Sequence, residues 1–290
     1  MKSEIFYSEG HREKPLVIFV HGMGMNAAMW AEPAVARILG GKYPLSVLLG
    51  DVEMRTSFHD LKALGFPVLA WSQKRPAGPA LLAVEELKEL VAAYSGKSTA
   101  GIVLIGHSRG GLIARKFLED CDCDVSVRGI ITVAAPHNGS TMAKWVAYIS
   151  PLSAAIKKIM DIGDSDVTTA AHRVVAFLNG MGIREMLPGS EFLMSLSEKR
   201  TQNIRIASIG GTNPTLVNFG KFSLPALLSG ILPQSALPDE MREGKGDGFV
   251  SAASAVYPGG DEHKDFFAHH VGLIFDREVR EYIRKVVLYK

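Results

Sequence analysis

Short apolar runs alternate with amphipathic segments along most of the chain. Continuous apolar runs, which are typical of strands buried on both faces, occupy residues 16–20, 66–71, 102–105, 128–135 and 204–210. Apolar residues at helical spacing occupy the stretches before Gly65, from 81 to about 96, from 109 to about 118 and from 276 to 288. Strands that alternate with helices predict a mostly parallel sheet with right-handed crossovers.

One predicted strand runs directly into Gly106-His107-Ser108-Arg109-Gly110, and a helical pattern begins at once. A Gly-x-Ser-x-Gly sequence in this context is typical of a nucleophile elbow. We expect Ser108 at the apex of the turn, in a strained backbone conformation, with the N-terminus of the helix pointing at the reacting atom. Gly106 and Gly110 fit because a side chain at either position would clash across so tight a turn. The plainer interpretation is a strand-to-helix turn whose serine caps the helix.

The composition is that of a globular protein with a large core. Of the 290 residues, 47% are hydrophobic and 21% charged, which suits one α/β domain over residues 1–290. The formal net charge is +2, and because the chain has no dense basic run, no nucleic-acid partner is expected. The two cysteines, Cys121 and Cys123, flank a single residue. So tight a pair rarely forms a disulfide, and two thiols are too few for a structural zinc site.

No targeting or membrane segment is visible. Residues 1–6 lack the apolar core of a signal peptide, so a cytoplasmic location is expected unless a leader has been removed. No stretch is apolar enough for long enough to span a bilayer.

Four segments spread over almost the whole chain carry a resemblance to a known family. They are Val20-His21-Gly22-Met23-Gly24, Gly106-His107-Ser108-Arg109-Gly110-Gly111, Thr132-Val133-Ala134-Ala135-Pro136-His137-Asn138-Gly139-Ser140 and His270-Val271-Gly272-Leu273-Ile274. In content and order they resemble segments of α/β-hydrolases of the bacterial true-lipase type. The resemblance implies an α/β-hydrolase fold, with a mostly parallel sheet flanked by helices and interrupted by cap or lid segments.

The resemblance also implies roles for individual residues. It places the catalytic acid in an Asp-Gly-x-Val context, which is Asp247 here, and the base in the C-terminal segment that begins at His270. The main-chain N–H groups of Met23 and Arg109 would form the oxyanion hole. Ser108, Asp247 and His270 then follow the order of nucleophile, acid and base that α/β-hydrolases use.

Alternatives stay open for the acid and the base. His269 is the alternative base, Asp261 and Asp265 are the fallback acids, and Asp247 also fits a plain turn because Asp-Gly turns are common. A metal site is a weaker interpretation, since the acidic ligands and the spacing of the nearby histidines match no familiar motif. No metal or cofactor is therefore expected. The histidines of this region are His263, His269 and His270.

Two stretches depart from the regular alternation. Residues 141–200 contain helical pieces broken at Pro151 and Gly163, in the place where many hydrolases carry a cap or lid. Residues 213–235 form a strongly apolar loop with few charges, which water would tolerate poorly unless it packs against something. Ordinary burial in the core and lining of an acyl-binding groove explain this loop equally well.

The expected function is hydrolysis of carboxylic esters, as in lipases and carboxylesterases, through an acyl-enzyme on Ser108. The apolar residues after Ser140 favour an acyl chain, so the expected partner is a small-molecule ester or lipid, with transient contact to a lipid interface. Acyltransferase, thioesterase and amidase activities use the same triad and stay open. So does a binding module of this fold without catalysis.

Overall fold

The computed structural model describes residues 4–38, 43–44, 53–120, 126–142, 181–197, 204–215, 218–219, 222–223 and 237–289. The strands are β1 (Ile5–Ser8), β2 (Leu16–Val20), β3 (Arg37–Ile38), β4 (Tyr43–Pro44), β5 (Val68–Trp71), β6 (Ile102–His107), β7 (Val127–Val133), β8 (Arg205–Gly211), β9 (Asn218–Phe219), β10 (Phe222–Ser223) and β11 (Glu262–Phe266). The helices are α1 (Ala28–Ala31), α2 (Ser57–Ala63), α3 (Ala80–Tyr94), α4 (Arg109–Asp120), α5 (Met181–Arg184), α6 (Glu191–Met194), α7 (Ala252–Ala255) and α8 (Arg277–Leu288). Turns of 3-10 helix cover Ser95–Lys97, Asp239–Met241 and Gly272–Ile274.

A seven-stranded sheet with the order β1-β5-β2-β6-β7-β8-β11 forms the centre of the molecule. All neighbours from β5 to β11 pair in parallel, whereas β1 pairs antiparallel with β5. The predicted α/β class and mostly parallel sheet are therefore confirmed. The carboxyl ends of the parallel strands meet at one edge, where open α/β sheets bind ligands.

The central strands are buried on both faces, which explains their continuous apolar sequences. In β2, alternate side chains enter two separate cores: Val17 and Phe19 pack into one, and Leu16, Ile18 and Val20 into the other. Helices α1, α2 and α8 cover the first core, and α3 and α4 cover the second. Because each core excludes water from one face of the sheet, the sheet is a rigid platform for the loops at its carboxyl edge.

Both edge strands lack the pattern by which the central strands were predicted. In β11 the sequence Glu262-His263-Lys264-Asp265 is polar and partly exposed, and only the last residue, Phe266, is buried. β1 is likewise half-exposed. A strand at the edge of a sheet has a neighbour on one side only and needs no continuous apolar run, so hydrophobic patterning missed both.

Much of the two irregular stretches lies outside the described residues. Of 141–200, the structure describes 141–142 and 181–197, and the latter part forms α5 and α6; a cap there stays a prediction. Within 213–235, where the sequence predicted a loop, β9 and β10 pair as a short antiparallel ribbon. Cys121 and Cys123 also lie outside the described residues. None of the helices in the described part is both long and apolar enough to cross a membrane.

Helix α4 begins in very close contact with the ends of β6 and β2. A Cβ atom on Gly106 would lie 2.5 Å from the Gly110 carbonyl oxygen, and one on Gly110 would collide with the Val20 carbonyl and lie 2.7 Å from the His21 oxygen. These neighbours are main-chain atoms, which cannot rotate away. The first turn of α4 can therefore approach the sheet this closely only with glycine at both positions.

Replacing Gly106 with alanine should lower the free energy of unfolding by about 3 kcal/mol, because backbone on both sides must move to accept the methyl group. Urea denaturation measures this. The matched control is Gly96→Ala, where the new Cβ would have nothing within 4 Å and the expected change is within about 0.5 kcal/mol. Equal effects of the two substitutions would contradict the close approach.

Candidate active site

Ser108 occupies the turn between β6 and α4, at the carboxyl edge of the sheet. Its φ is 54°, in the left-handed region that residues with a side chain rarely adopt, so the expected strain is confirmed. The Ser108 N–H donates to the Val133 carbonyl at 2.8 Å, and the Gly111 N–H donates to the Ser108 carbonyl at 2.9 Å. These bonds to β7 and α4 hold the strained turn in place.

Asp247 lies on the loop between the 3-10 turn Asp239–Met241 and α7, and it is completely buried. Its Oδ1 atom accepts the N–H groups of Phe249 at 2.9 Å and Val250 at 2.7 Å. Gly248, with φ 96°, allows the tight turn that brings these two donors back to the carboxylate. Two main-chain donors stabilise the charged form of the buried group and leave Oδ2 for another partner.

His270 supplies that partner. Its Nδ1 atom lies 2.8 Å from Asp247 Oδ2, and its main-chain N–H donates to the Asp247 carbonyl at 3.0 Å. The contact joins positions 23 residues apart, and both side chains are buried. Because a carboxylate only accepts, Nδ1 carries a proton and donates it. The second ring nitrogen, Nε2, is then the acceptor of the neutral imidazole.

His107 places the His270 loop against the elbow. Its Nε2 lies 3.0 Å from the His270 carbonyl oxygen, and the two rings are 4.8 Å apart between centroids. The His107 ring is fully buried, and burial, with the nearby His270 as a smaller cause, lowers the pKa of His107 well below its usual value. A neutral His107 therefore donates from Nε2 to the carbonyl, while its Nδ1 has no hydrogen-bond partner within the described part of the chain. Since His107 adjoins Ser108 in the sequence, the loop that carries His270 packs against the residue directly before the serine.

The loop after β2 also lies close to Ser108. A Cβ atom on Gly22 would be 3.2 Å from the Ser108 Cβ, so glycine permits this approach. Met23 follows at once and is partly buried. Among the residues that the structure describes, neither the Met23 N–H nor the Arg109 N–H donates to a main-chain carbonyl. Within the described part of the chain, the N–H groups of Met23, which follows Gly22, and of Arg109, which follows Ser108, are thus left without a main-chain acceptor.

His21 fixes the shape of this loop. Its Nε2 accepts the Gln73 N–H at 3.0 Å, so Nδ1 carries the proton and donates to the Gly22 carbonyl at 2.8 Å. Burial lowers the pKa of His21 to about 4. The ring is therefore neutral at pH 7 and works as a structural group.

His269, the alternative base, has different contacts from those of His270. The His269 ring packs over Gly272, and its Nδ1 accepts the Gly272 N–H at 3.2 Å. Of the fallback acids, Asp261 accepts the Ile206 N–H at 2.8 Å, and Asp265 contacts His263 Nε2 at 3.0 Å. Neither is the carboxylate that holds His270.

A second serine–histidine–aspartate set joins β8 to β11. Ser208 Oγ lies 2.8 Å from His263 Nδ1, and His263 Nε2 lies 3.0 Å from Asp265. Here Nδ1 faces the serine and Nε2 the acid, the reverse of the arrangement at His270. Ser208 is 1% exposed and its oxygen also accepts the Tyr257 N–H at 3.2 Å, so this set ties the sheet edge together.

His137, the other histidine at the carboxyl edge, also has a structural environment. Its Nε2 is 3.0 Å from Thr132 Oγ1 and its Nδ1 is 3.4 Å from the Arg115 guanidinium. Burial, followed by the Arg115 charge, lowers the pKa of His137 well below its usual value. In the described part of the chain, no group of three or more His, Cys, Asp and Glu side chains is arranged to hold a metal ion.

Sequence reasoning did not identify the supporting contacts of His107 and Gln73. His107 lies inside the Gly-x-Ser-x-Gly motif, but the motif gives no sign of its contact with a carbonyl 163 positions away. The Gln73 amide donates to the His21 carbonyl at 3.0 Å across 52 positions. The spacing of residues along the sequence predicts neither contact.

The strand order, the elbow and the buried Asp–His pair define the α/β-hydrolase superfamily. Within it, the sequence model of palmitoyl protein thioesterases matches residues 16–208, and the chain belongs to the palmitoyl protein thioesterase family. The match covers Ser108 and ends before Asp247 and His270. A search of curated proteins finds no match.

Solved lipase structures share the fold. The lipase of Staphylococcus hyicus aligns over 96% of both chains with 15% identity and a TM-score of 0.57. A Bacillus licheniformis lipase in its mature form aligns over 98% of both chains with 14% identity and a TM-score of 0.55. Identities this low establish a common fold alone.

The buried histidines predict that acid destabilises the protein. Between about pH 6.5 and pH 4, an unfolded chain binds a proton at His21 that the folded chain does not bind. The stability contributed by neutral His21 is therefore complete above pH 6.5 and falls as the pH falls. At pH 5 the expected loss is about 2 kcal/mol from this residue.

Urea denaturation across this pH range checks the effect. In His21→Gln the number of protons taken up on unfolding near pH 5 should fall by about one. The control is His11→Gln, which removes an exposed histidine and shows whether the effect is specific to His21. Identical pH dependence in His21→Gln and the parent protein would contradict the assignment.

Proposed function

We propose that the protein is a serine hydrolase that cleaves acyl groups from esters or thioesters through a covalent intermediate on Ser108. The observation that supports this most directly is the 2.8 Å contact between His270 Nδ1 and Asp247 Oδ2, in a loop that packs against the residue preceding Ser108. A buried carboxylate on Nδ1 leaves Nε2 to take the proton of a serine hydroxyl.

In the first half-reaction, the Ser108 oxygen attacks the acyl carbonyl as His270 Nε2 accepts the hydroxyl proton. Asp247 holds the imidazole in the required tautomer and stabilises the imidazolium. The Met23 and Arg109 N–H groups donate to the oxyanion of the tetrahedral intermediate, and one such donor contributes about 2.7–4 kcal/mol to lowering the barrier. Collapse of the intermediate breaks the bond to the leaving oxygen or sulfur, which takes the proton from His270.

In the second half-reaction, a water molecule attacks the acyl-enzyme while His270 Nε2 takes one of its protons. Collapse of the second intermediate returns that proton to Ser108 and releases the carboxylic acid. The sum is one water consumed and one acyl bond cleaved, with the enzyme restored.

The leaving group can be the alcohol of an ester or the thiol of a thioester. The elbow and the Asp–His pair are equally suited to cleaving oxygen esters and thioesters. The sequence alone favoured oxygen esters. Membership in the palmitoyl protein thioesterase family favours a thioester with a long acyl chain. A thiol, with a pKa of about 8.5, also leaves as an anion more readily than an alcohol does.

Ser108→Ala should lower kcat by about 10⁶-fold, because without the nucleophile no acyl-enzyme forms. A p-nitrophenyl ester and a thioester of the same acid serve as substrates, and a fluorophosphonate followed by peptide mass spectrometry locates the adduct. Ser208→Ala is the matched control, since its hydroxyl also contacts a histidine but is buried; it should keep its activity and its label on Ser108. Parent-level turnover by Ser108→Ala, or an adduct on another serine, would refute the scheme.

The preferred leaving group can be measured with paired substrates. Palmitoyl-coenzyme A and ethyl palmitate carry the same acyl group, and we expect kcat/KM for the thioester to equal or exceed that for the ester. Acetyl and octanoyl pairs provide the control for chain length. Cleavage of the esters without measurable cleavage of any thioester would instead support the carboxylesterase alternative.

A further inference from the structure

The side chain of Arg109 turns away from the reaction site into the protein. Arg109 is the first residue of α4, and only 1% of it is exposed. Its Nη1 donates to the Pro76 carbonyl at 3.0 Å, and its Nη2 donates to the Gly78 carbonyl. A guanidinium group has its donors fixed in one plane, so it can hold two neighbouring carbonyls at once. The segment 73–78 that it binds is called the bracing loop below.

The bracing loop is also bonded to the turn that carries Met23. The Gly24 N–H donates to the Pro76 carbonyl at 3.2 Å, so this one oxygen accepts from both Gly24 and Arg109. At the other end of the bracing loop, Gln73 binds His21 twice, through its N–H and its side-chain amide, each at 3.0 Å. The loop therefore connects the Arg109 side chain to residues on both sides of Met23.

The charge of Arg109 is poorly compensated for a buried group. The nearest carboxylate oxygen, on Glu185, is 4.0 Å from Nη2, and Glu185 already accepts the Ala80 N–H at the start of α3. Most of the guanidinium contacts are with carbonyl oxygens instead. A buried ion with so distant a counterion costs stability relative to an apolar side chain, which favours a positioning role over simple filling of the core.

We propose that the Arg109 guanidinium is a positioning residue for the oxyanion hole. Its main-chain N–H is one donor of that hole, and its side chain, acting through the Pro76 carbonyl and Gly24, sets where the other donor, Met23, lies. One residue thereby fixes the separation of the two N–H groups. This inference rests on the proposed function, because it assumes that both donors bind the oxyanion.

Arg109→Met should lower kcat for the better substrate by about 10- to 100-fold, since a misplaced donor loses part of the effect of a deleted one. KM should change less than about threefold, because the oxyanion exists in the transition state and not in the bound substrate. A long-chain trifluoromethyl ketone, which adds to serine to form an oxyanion, should bind more weakly by a factor similar to the loss in kcat.

Arg115→Met is the matched control. Arg115 lies on the same helix, is 2% exposed, and donates to Glu119 and to the Ser197 carbonyl, away from the bracing loop. Its loss should lower the unfolding temperature without lowering kcat or the affinity for the ketone. A second variant, Arg109→Lys, keeps the charge, but a single ammonium group cannot reproduce the planar fork. It should fold and show a loss in kcat that is smaller than in Arg109→Met but still measurable.

Several outcomes would overturn the inference. They are an Arg109→Lys kcat within twofold of the parent, a rise in KM without a fall in kcat, unchanged affinity for the ketone, and an equal loss in Arg115→Met. Failure of the proposed function looks different: the parent protein itself would neither turn over ester or thioester nor form the fluorophosphonate adduct.

Discussion

The close approach of α4 to the sheet is the constraint on which the rest of the site depends. The turn at Ser108 combines a φ of 54° with glycines on both sides, and main-chain hydrogen bonds to β7 and α4 retain it. Because the first turn of α4 lies almost against the ends of β2 and β6, the loops that leave those strands have little freedom. The Gly22 turn consequently lies close to both the His107 ring and Ser108.

Burial and orientation distinguish the Asp247–His270 pair from the set of Ser208, His263 and Asp265. At β8 and β11, His263 joins a fully buried serine to a partly exposed aspartate. In the other pair Asp247 and His270 are both buried, two main-chain N–H groups donate to the aspartate, and the histidine faces it with Nδ1 instead of Nε2. A carboxylate buried against an imidazole can stabilise an imidazolium, whereas the charge of an exposed carboxylate is screened by water. Histidine and aspartate thus have different capabilities in the two places.

The polar groups around the elbow form a connected arrangement. His21 and His107 are neutral because burial lowers the pKa of each. His21 donates to the Gly22 carbonyl of its own loop, and His107 donates to the His270 carbonyl of a remote loop. Arg109 and Gln73 extend the arrangement to the turn that carries Met23. Family membership rests on residues 16–208, but His270 and Asp247 come from loops beyond that span, so the complete constellation depends on long-range contacts.

The sequence by itself determined the central strands, the elbow and the order of the candidate serine, aspartate and histidine, because short runs of consecutive residues encode each of them. The strands come from apolar runs such as 102–105, the elbow from the glycines around Ser108, and the candidate acid from a short motif at Asp247. The edge strands β1 and β11 had no such local signal, since half of each faces water. Only the tertiary structure decided that His270 rather than His269 holds Asp247, that Ser208 is inaccessible, and that the Arg109 side chain braces a loop more than 30 positions away. These features depend on burial and on contacts between segments that are remote in the sequence. Such contacts form only when the chain folds, and no local sequence pattern predicts them.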